Sequence, residues 1–174
     1  KASPTVEVRL ESVRVPQANL LGEEGKGFDI ALDTLDGGRL GIASQSLGIA
    51  RASLELIREH LRGSVDHKGR PTASQADQWE MADIAADLDA CRFLTWRAAS
   101  LRDRHESCGP QAAMAKLKAS LLANRAARSA VTILGDSGLV GRAERLMRDA
   151  RICEIYEGAT DIQRLVIARG ELGA

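Results

Sequence analysis

Gly27-Phe28-Asp29-Ile30-Ala31-Leu32-Asp33-Thr34-Leu35-Asp36-Gly37-Gly38-Arg39-Leu40-Gly41-Ile42-Ala43 is the stretch on which the fold turns. Phe28, Leu32 and Leu35 recur at steps of three and four, and Ile42, Ile49 and Leu56 carry that apolar face onward. This is the period of an amphipathic helix. Gly37-Gly38 marks a candidate bend or break. Gly41 and Gly48 share one face, where small residues predict a close helix contact, and Gly63 is a plausible stop.

Upstream the period is different. Val6, Val8 and Leu10 alternate with Glu7, Arg9 and Glu11, the pattern of a strand with one buried face. A lone strand has no ladder partner. The reading is therefore the last strand and linker of a β-domain over residues 1–22, followed by a helical domain over 23–174.

Downstream, residues 64–73 are polar, with Gly69 and Pro71, and predict a loop. Thr72-Ala73-Ser74-Gln75 has the form of a capping box. Met81, Ile84, Leu88 and Cys91 then mark a second helix, expected to end near Ser107-Cys108-Gly109. Pro110 suits the first turn of a third helix carrying Met114, Leu117, Leu121 and Leu134. Gly135, Gly138 and Gly141 predict a turn-rich break, Ala143–Arg148 a short helix, and Asp161–Gly170 a last helix behind a second candidate box, Thr160-Asp161-Ile162-Gln163. The expected fold is all-α: an antiparallel, up-and-down four-helix bundle with a short N-terminal strand remnant.

Composition narrows the function. Twenty-four basic residues balance 24 acidic ones, which gives no reason to expect nucleic acid or an anionic membrane as partner. No apolar run is long enough to span a bilayer, and the first residues lack a signal-peptide pattern. Three cysteines without a CxxC pair read as free buried thiols, and His60, His67 and His105 have no metal-ligand spacing. Glu154 and Glu157 are three apart, ordinarily a solvated helix edge. Glu157 stands out because it follows Tyr156, precedes Gly158 and abuts a helix start, a setting that can line a pocket.

The run from Arg148 to Leu165, with Ile155-Tyr156-Glu157-Gly158-Ala159-Thr160-Asp161-Ile162-Gln163-Arg164 at its centre, resembles the C-terminal signature of acyl-CoA dehydrogenases. Val13-Arg14-Val15-Pro16, Asn19-Leu20-Leu21-Gly22-Glu23-Glu24-Gly25-Lys26-Gly27-Phe28 and Asp36-Gly37-Gly38-Arg39-Leu40-Gly41-Ile42-Ala43 resemble further family segments, in family order. The resemblance implies the end of the family's middle β-domain plus its helical C-terminal domain, a fragment inactive by itself. It implies FAD as cofactor and acyl-CoA as substrate. Electrons would pass to an electron-transfer flavoprotein, in the cytoplasm of a bacterium or in a mitochondrial matrix. It implies Glu157 as the base that removes the α-proton of the thioester. Asp36, Arg39, Tyr156 and Gly158 match substrate-side positions, and Gln75, Gly135, Ala159, Thr160 and Asp161 match cofactor positions. Asp36 and Arg39 also suit an intrahelical ion pair, and Thr160 a helix cap.

The chain departs from the family in two places. Ser64-Val65-Asp66-His67-Lys68 stands where members carry Arg-x-x-Phe-Gly, and Thr132-Ile133-Leu134-Gly135-Asp136 stands at Gln-x-x-Gly-Gly. In the family these groups reach the FAD of a neighbouring subunit. The expected assembly is therefore a homo-oligomer, dimer or tetramer, or a hetero-oligomer with a related subunit. An acyl-CoA oxidase, another flavoenzyme of the same fold and a non-catalytic subunit are the alternatives.

Overall fold

The structure is a computed structural model that describes residues 6–70 and 72–173. Residues 1–5, within the expected strand-and-linker segment, and Pro71, in the expected loop, lie outside the described residues. Residues 6–16 form no strand: Val6, Val8 and Leu10 are exposed, and the first regular element is one 3-10 turn at Gln17–Asn19. The alternation is real, but among the described residues no second strand offers it a ladder.

Three long helices follow: α1 (Gly27–Gly63), α2 (Gln75–Asp103) and α3 (Gly109–Leu134). Helix α1 is unbroken through Gly37-Gly38, so the chain does not leave the helix there. Each interior glycine costs about 1 kcal/mol relative to alanine, and here each makes room for a neighbour. A Cβ on Gly37 would lie 3.4 Å from the Arg102 guanidinium, and one on Gly38 would lie 2.3 Å from the Glu157 carboxylate. Gly41 and Gly48 instead face open space, so they make no close helix contact. Helix α2 is capped by Ser74, whose Oγ accepts from the Asp77 N–H at 3.1 Å; the box on Thr72 is displaced by two residues. Helix α2 ends at Asp103, short of the expected Ser107.

Helix α3 is the central element and packs on every other helix. Its buried stripe is alanine: Ala112, Ala115, Ala119, Ala123, Ala126 and Ala130. Met114, Leu117 and Leu134 are only half-buried and Leu121 is exposed, so the leucine face read from the sequence is not the core face. Alanines let the backbones of α1 and α3 approach closely. Around them Leu54, Ile57, Ile84 and Leu88 fill the interior. Buried Ser46 and Ser53 donate to carbonyls one turn back on α1, so their hydroxyls cost little.

Helix directions follow from named contacts. Arg102 near the end of α2 pairs with Asp33 near the start of α1, at 3.3 Å. Arg125 and Ser129, late in α3, bond Glu80 early in α2. Successive long helices are therefore antiparallel. The fourth position is not one helix but two in series, α4 (Arg142–Arg151) and α5 (Thr160–Leu172). The α4 end lies beside Asn124 of α3, the α5 start beside Lys116, and Gly170 of α5 reaches Pro110. Both run against α3. The break between them, residues 152–159, carries Glu157.

Candidate functional site

Where α4 ends, one 3-10 turn (Ile152–Glu154) leads to two consecutive left-handed residues, Glu157 (φ 54°) and Gly158 (φ 95°). Glycine adopts that conformation freely, but a glutamate does so at a cost of roughly 1–2 kcal/mol. Four side chains hold the break. The Lys116 Nζ donates to the Gly158 carbonyl at 2.8 Å, and the Gln163 Nε2 donates to the carbonyls of Gly158 (2.8 Å) and Glu157 (3.2 Å). The Asn124 Nδ2 donates to the Ala150 carbonyl at 2.9 Å, and the Thr160 Oγ1 to the Glu154 carbonyl at 3.3 Å. These bonds replace the helical partners that the carbonyls lose when the fourth helix breaks.

Gly158 is required twice over. Its φ is positive, and an added Cβ would sit 2.3 Å from the Gln163 Nε2. The geometry turns the Glu157 side chain onto α1, with its carboxylate against the bare Cα of Gly38. Glu157 is half-buried there.

Beside it on α1 lie Asp36 and Arg39. The Arg39 Nη1 donates to the Asp36 carboxylate at 2.5 Å, which is the i, i+3 pair expected, and Arg39 is almost wholly buried. Its Nε has no partner among the described residues. The other Asp36 oxygen lies close to Gly109, at the N-terminus of α3, where the helix dipole favours a carboxylate. A cleft of about 540 Å³ opens beside Asp36, lined also by Asp33, Arg102, His105 and Ser107. The structure thus brings Glu157, Gly158, Asp36 and Arg39 to one end of the bundle.

Tyr156 faces elsewhere. Its hydroxyl donates to the Gln45 side chain at 2.7 Å, and its ring lines a cleft between α1 and α4. Burial, then the neighbouring Cys153, pushes its hydroxyl above the usual tyrosine range.

The candidate cofactor residues divide between the two ends. Ala159, Thr160 and Asp161 open α5 next to Glu157. Thr160 does not cap its helix but ties back to Glu154, and Gln163 serves the break instead of a capping box, so no side chain caps the first turn of α5. Gln75 opens α2 and Gly135 closes α3, both exposed, at the opposite end. Gly38 and Gly63 of α1 mark the two levels, about 37 Å apart at 1.5 Å rise per residue.

Lys116 and Gln163 were not singled out from sequence. Both are fully buried. Burial holds the Lys116 ammonium below the usual lysine range, and the nearby carboxylates of Glu154 and Glu157 offset this only in part. The available signal was position: Lys116 is one turn from Ala112 and Ala119, on the alanine stripe of α3. The three cysteines are free and buried, as expected. No helix among the described residues is long and apolar enough to cross a membrane.

Known proteins resemble this chain in sequence and fold. Residues 25–172 match the family described as acyl-CoA dehydrogenase, C-terminal domain. The rat mitochondrial short-chain specific acyl-CoA dehydrogenase is 49% identical over 170 residues, 97% of this chain and 41% of that protein. The solved butyryl-CoA dehydrogenase of Megasphaera elsdenii superimposes with a TM-score of 0.85 at 41% identity, over 91% of this chain and 42% of that one. A chain from the structural study of the electron transferring flavoprotein of Acidaminococcus fermentans gives a TM-score of 0.88 at 42% identity, over 94% of this chain and 44% of its own length. The chain spans less than half the length of each of these relatives. On the family match and these identities together, the chain belongs to the acyl-CoA dehydrogenase family, as its C-terminal helical domain.

Proposed function

We propose that this chain is the base-carrying domain of an FAD-dependent short-chain acyl-CoA dehydrogenase, with Glu157 as the general base. The observation that carries the reading is the Glu157 carboxylate, on a left-handed residue, seated over Gly38 at the break of the fourth helix. A carboxylate held this way does not have to search for its substrate. It takes the α-proton of the acyl thioester, and the half-buried setting keeps water from competing for it. The Glu157 N–H donates to no acceptor among the described residues, so it is free for the thioester oxygen as enolate charge develops. A preorganised donor of that kind is worth roughly 3–4 kcal/mol. Asp36 and Arg39, on the turn of α1 that contains Gly38, are the residues for the CoA side of the substrate, and Gly158 flanks the base; Tyr156 faces the other cleft and takes no part.

FAD supplies the hydride acceptor for the β-hydrogen. The chain has a fitting anchor for it: the uncapped first turn of α5, at Ala159, Thr160 and Asp161, presents backbone N–H groups and a positive dipole end to a pyrophosphate. Gln75 and Gly135 lie too far away to share that same molecule. They serve FAD only if a second copy or a related subunit brings its own cofactor to the far end, which supports an oligomer. At that far end stand Asp136 and the Ser64–Arg70 loop, where Asp66 accepts from the N–H groups of Lys68 and Arg70. Carboxylates there favour weaker cofactor retention, or a partner subunit that supplies the cations. Residues 1–22 fit the end of a preceding β-domain, and an electron-transfer flavoprotein is the electron acceptor. By the settings of its relatives, the enzyme works in a bacterial cytoplasm or a mitochondrial matrix.

The test uses the complete enzyme and butyryl-CoA. Glu157→Gln should bind the thioester normally and lose turnover by about a thousandfold, within the range for a general base. Turnover near that of the parent enzyme contradicts the assignment. Slow reoxidation of the reduced flavin in air separates a dehydrogenase from an oxidase.

A further inference from the structure

We propose that Lys116 is a positioning residue for the base: its ammonium fixes the Gly158 carbonyl and thereby the left-handed turn that aims Glu157. This rests on the reading of Glu157 as the base.

Among the described residues Lys116 is the largest side chain with no exposure, and it lies on a buried face of α3 made mostly of alanine. A lysine buried in such surroundings is unfavourable unless something repays the loss of water. Among the described residues it makes one hydrogen bond, to Gly158 at 2.8 Å. If its task were only to fill space, a methionine would do so without the charge. What the ammonium adds is a charge-assisted bond to one carbonyl. That carbonyl belongs to the residue after Glu157, and the Gln163 amide grips it from the other side, also at 2.8 Å. Two donors on one oxygen fix the orientation of the Gly158–Ala159 peptide. The Gln163 contact to the Glu157 carbonyl fixes the preceding one. Both held peptides flank Gly158, so Gly158 stays at φ 95° and the backbone leaving Glu157 is fixed, which keeps its carboxylate on Gly38. Lys116 itself is placed against the backbone of the turn, and it acts on the reaction only through Glu157.

The experiment is steady-state kinetics of the complete enzyme with butyryl-CoA, for the parent, K116M and E157Q, with rates expressed per folded site from a binding titration. K116M should lower kcat about thirtyfold and leave KM within threefold, because the CoA-side contacts of Asp36 and Arg39 are untouched. Amide hydrogen exchange at residues 157–160 should accelerate while that of α2 does not. A kcat within threefold of the parent, or a loss that vanishes per folded site, overturns the proposal. If K116M does not fold, Q163L removes the second donor from the same carbonyl and is judged by the same limits. An inactive parent, or an active E157Q, would instead defeat the reading of Glu157 as base. A normal K116M beside an inactive E157Q defeats only the role of Lys116.

Discussion

The bundle has two interiors, and they are built on opposite principles. Between α1, α2 and α3 the interior is apolar: Leu54, Ile57, Ile84 and Leu88 pack around the alanine stripe, and the buried serines bond within their own helix. Beneath the break of the fourth helix the interior is polar: Lys116, Asn124, Gln163 and Arg39 are buried within a few turns of one another. The first supplies stability through area removed from water. In the second, Lys116, Asn124 and Gln163 donate to carbonyls that a continuous helix would have satisfied by itself. The contrast shows what an irregular turn inside a bundle requires: an exposed break could leave its carbonyls to solvent, whereas one that aims a carboxylate into the bundle must bring its own donors.

Substitutions can break this contrast from either side. Ile57→Ala, in the apolar interior, should destabilise the fold by about 2–5 kcal/mol with kcat per folded site unchanged; chemical denaturation alongside kinetics checks both. Gly38→Ala should do the reverse. Its new methyl would occupy the place of the Glu157 carboxylate, and a displacement of that order costs about a hundredfold in rate, although alanine suits the helix better. Gly41→Ala is the matched control one turn along α1, where an added Cβ meets open space. It should raise stability by up to about 1 kcal/mol and leave activity alone, as melting and turnover would show. The smallest effect belongs to Arg125, which pairs with Glu80, Asp83 and Asp87 at the partly exposed edge of α2 and α3. Arg125→Met should cost about 1 kcal/mol or less. The Arg125 guanidinium holds the Glu80 carboxyl below its ordinary range. The contribution of that pair is therefore present above the usual carboxylate pKa and fades as pH falls through the lowered one. Acid titration of stability should show a shallower loss in the variant.

The helices were legible because their apolar residues recur at helical spacing, and Pro110 and Gly63 mark real boundaries. The core face of α3 was not legible from its leucines. Alanine carries little hydrophobic signal per residue, yet where helices meet closely it is alanine that fits, and Leu121 is left outside. The capping boxes on Thr72 and Thr160 failed for a local reason: Ser74 stands nearer the true start of α2, and Gln163 is drawn to the carbonyls of Glu157 and Gly158. Glu157 and Gly158 could be singled out because an acid, an aromatic ring and a glycine precede a helix start. The seat of Glu157 on Gly38 joins residues more than 100 positions apart in sequence, and no local pattern encodes that. Lys116 reads as a surface residue until α3 is oriented, and only its place on the alanine stripe hints otherwise.

The most direct test is a structure of the complete enzyme with butyryl-CoA bound, reading the distance from the Glu157 carboxylate to the α-carbon of the thioester. The account predicts about 3.5 Å or less, a near-attack separation, with the carboxylate still over Gly38. A carboxylate turned into solvent, or an acyl chain lodged against Tyr156 in the α1–α4 cleft, would contradict it.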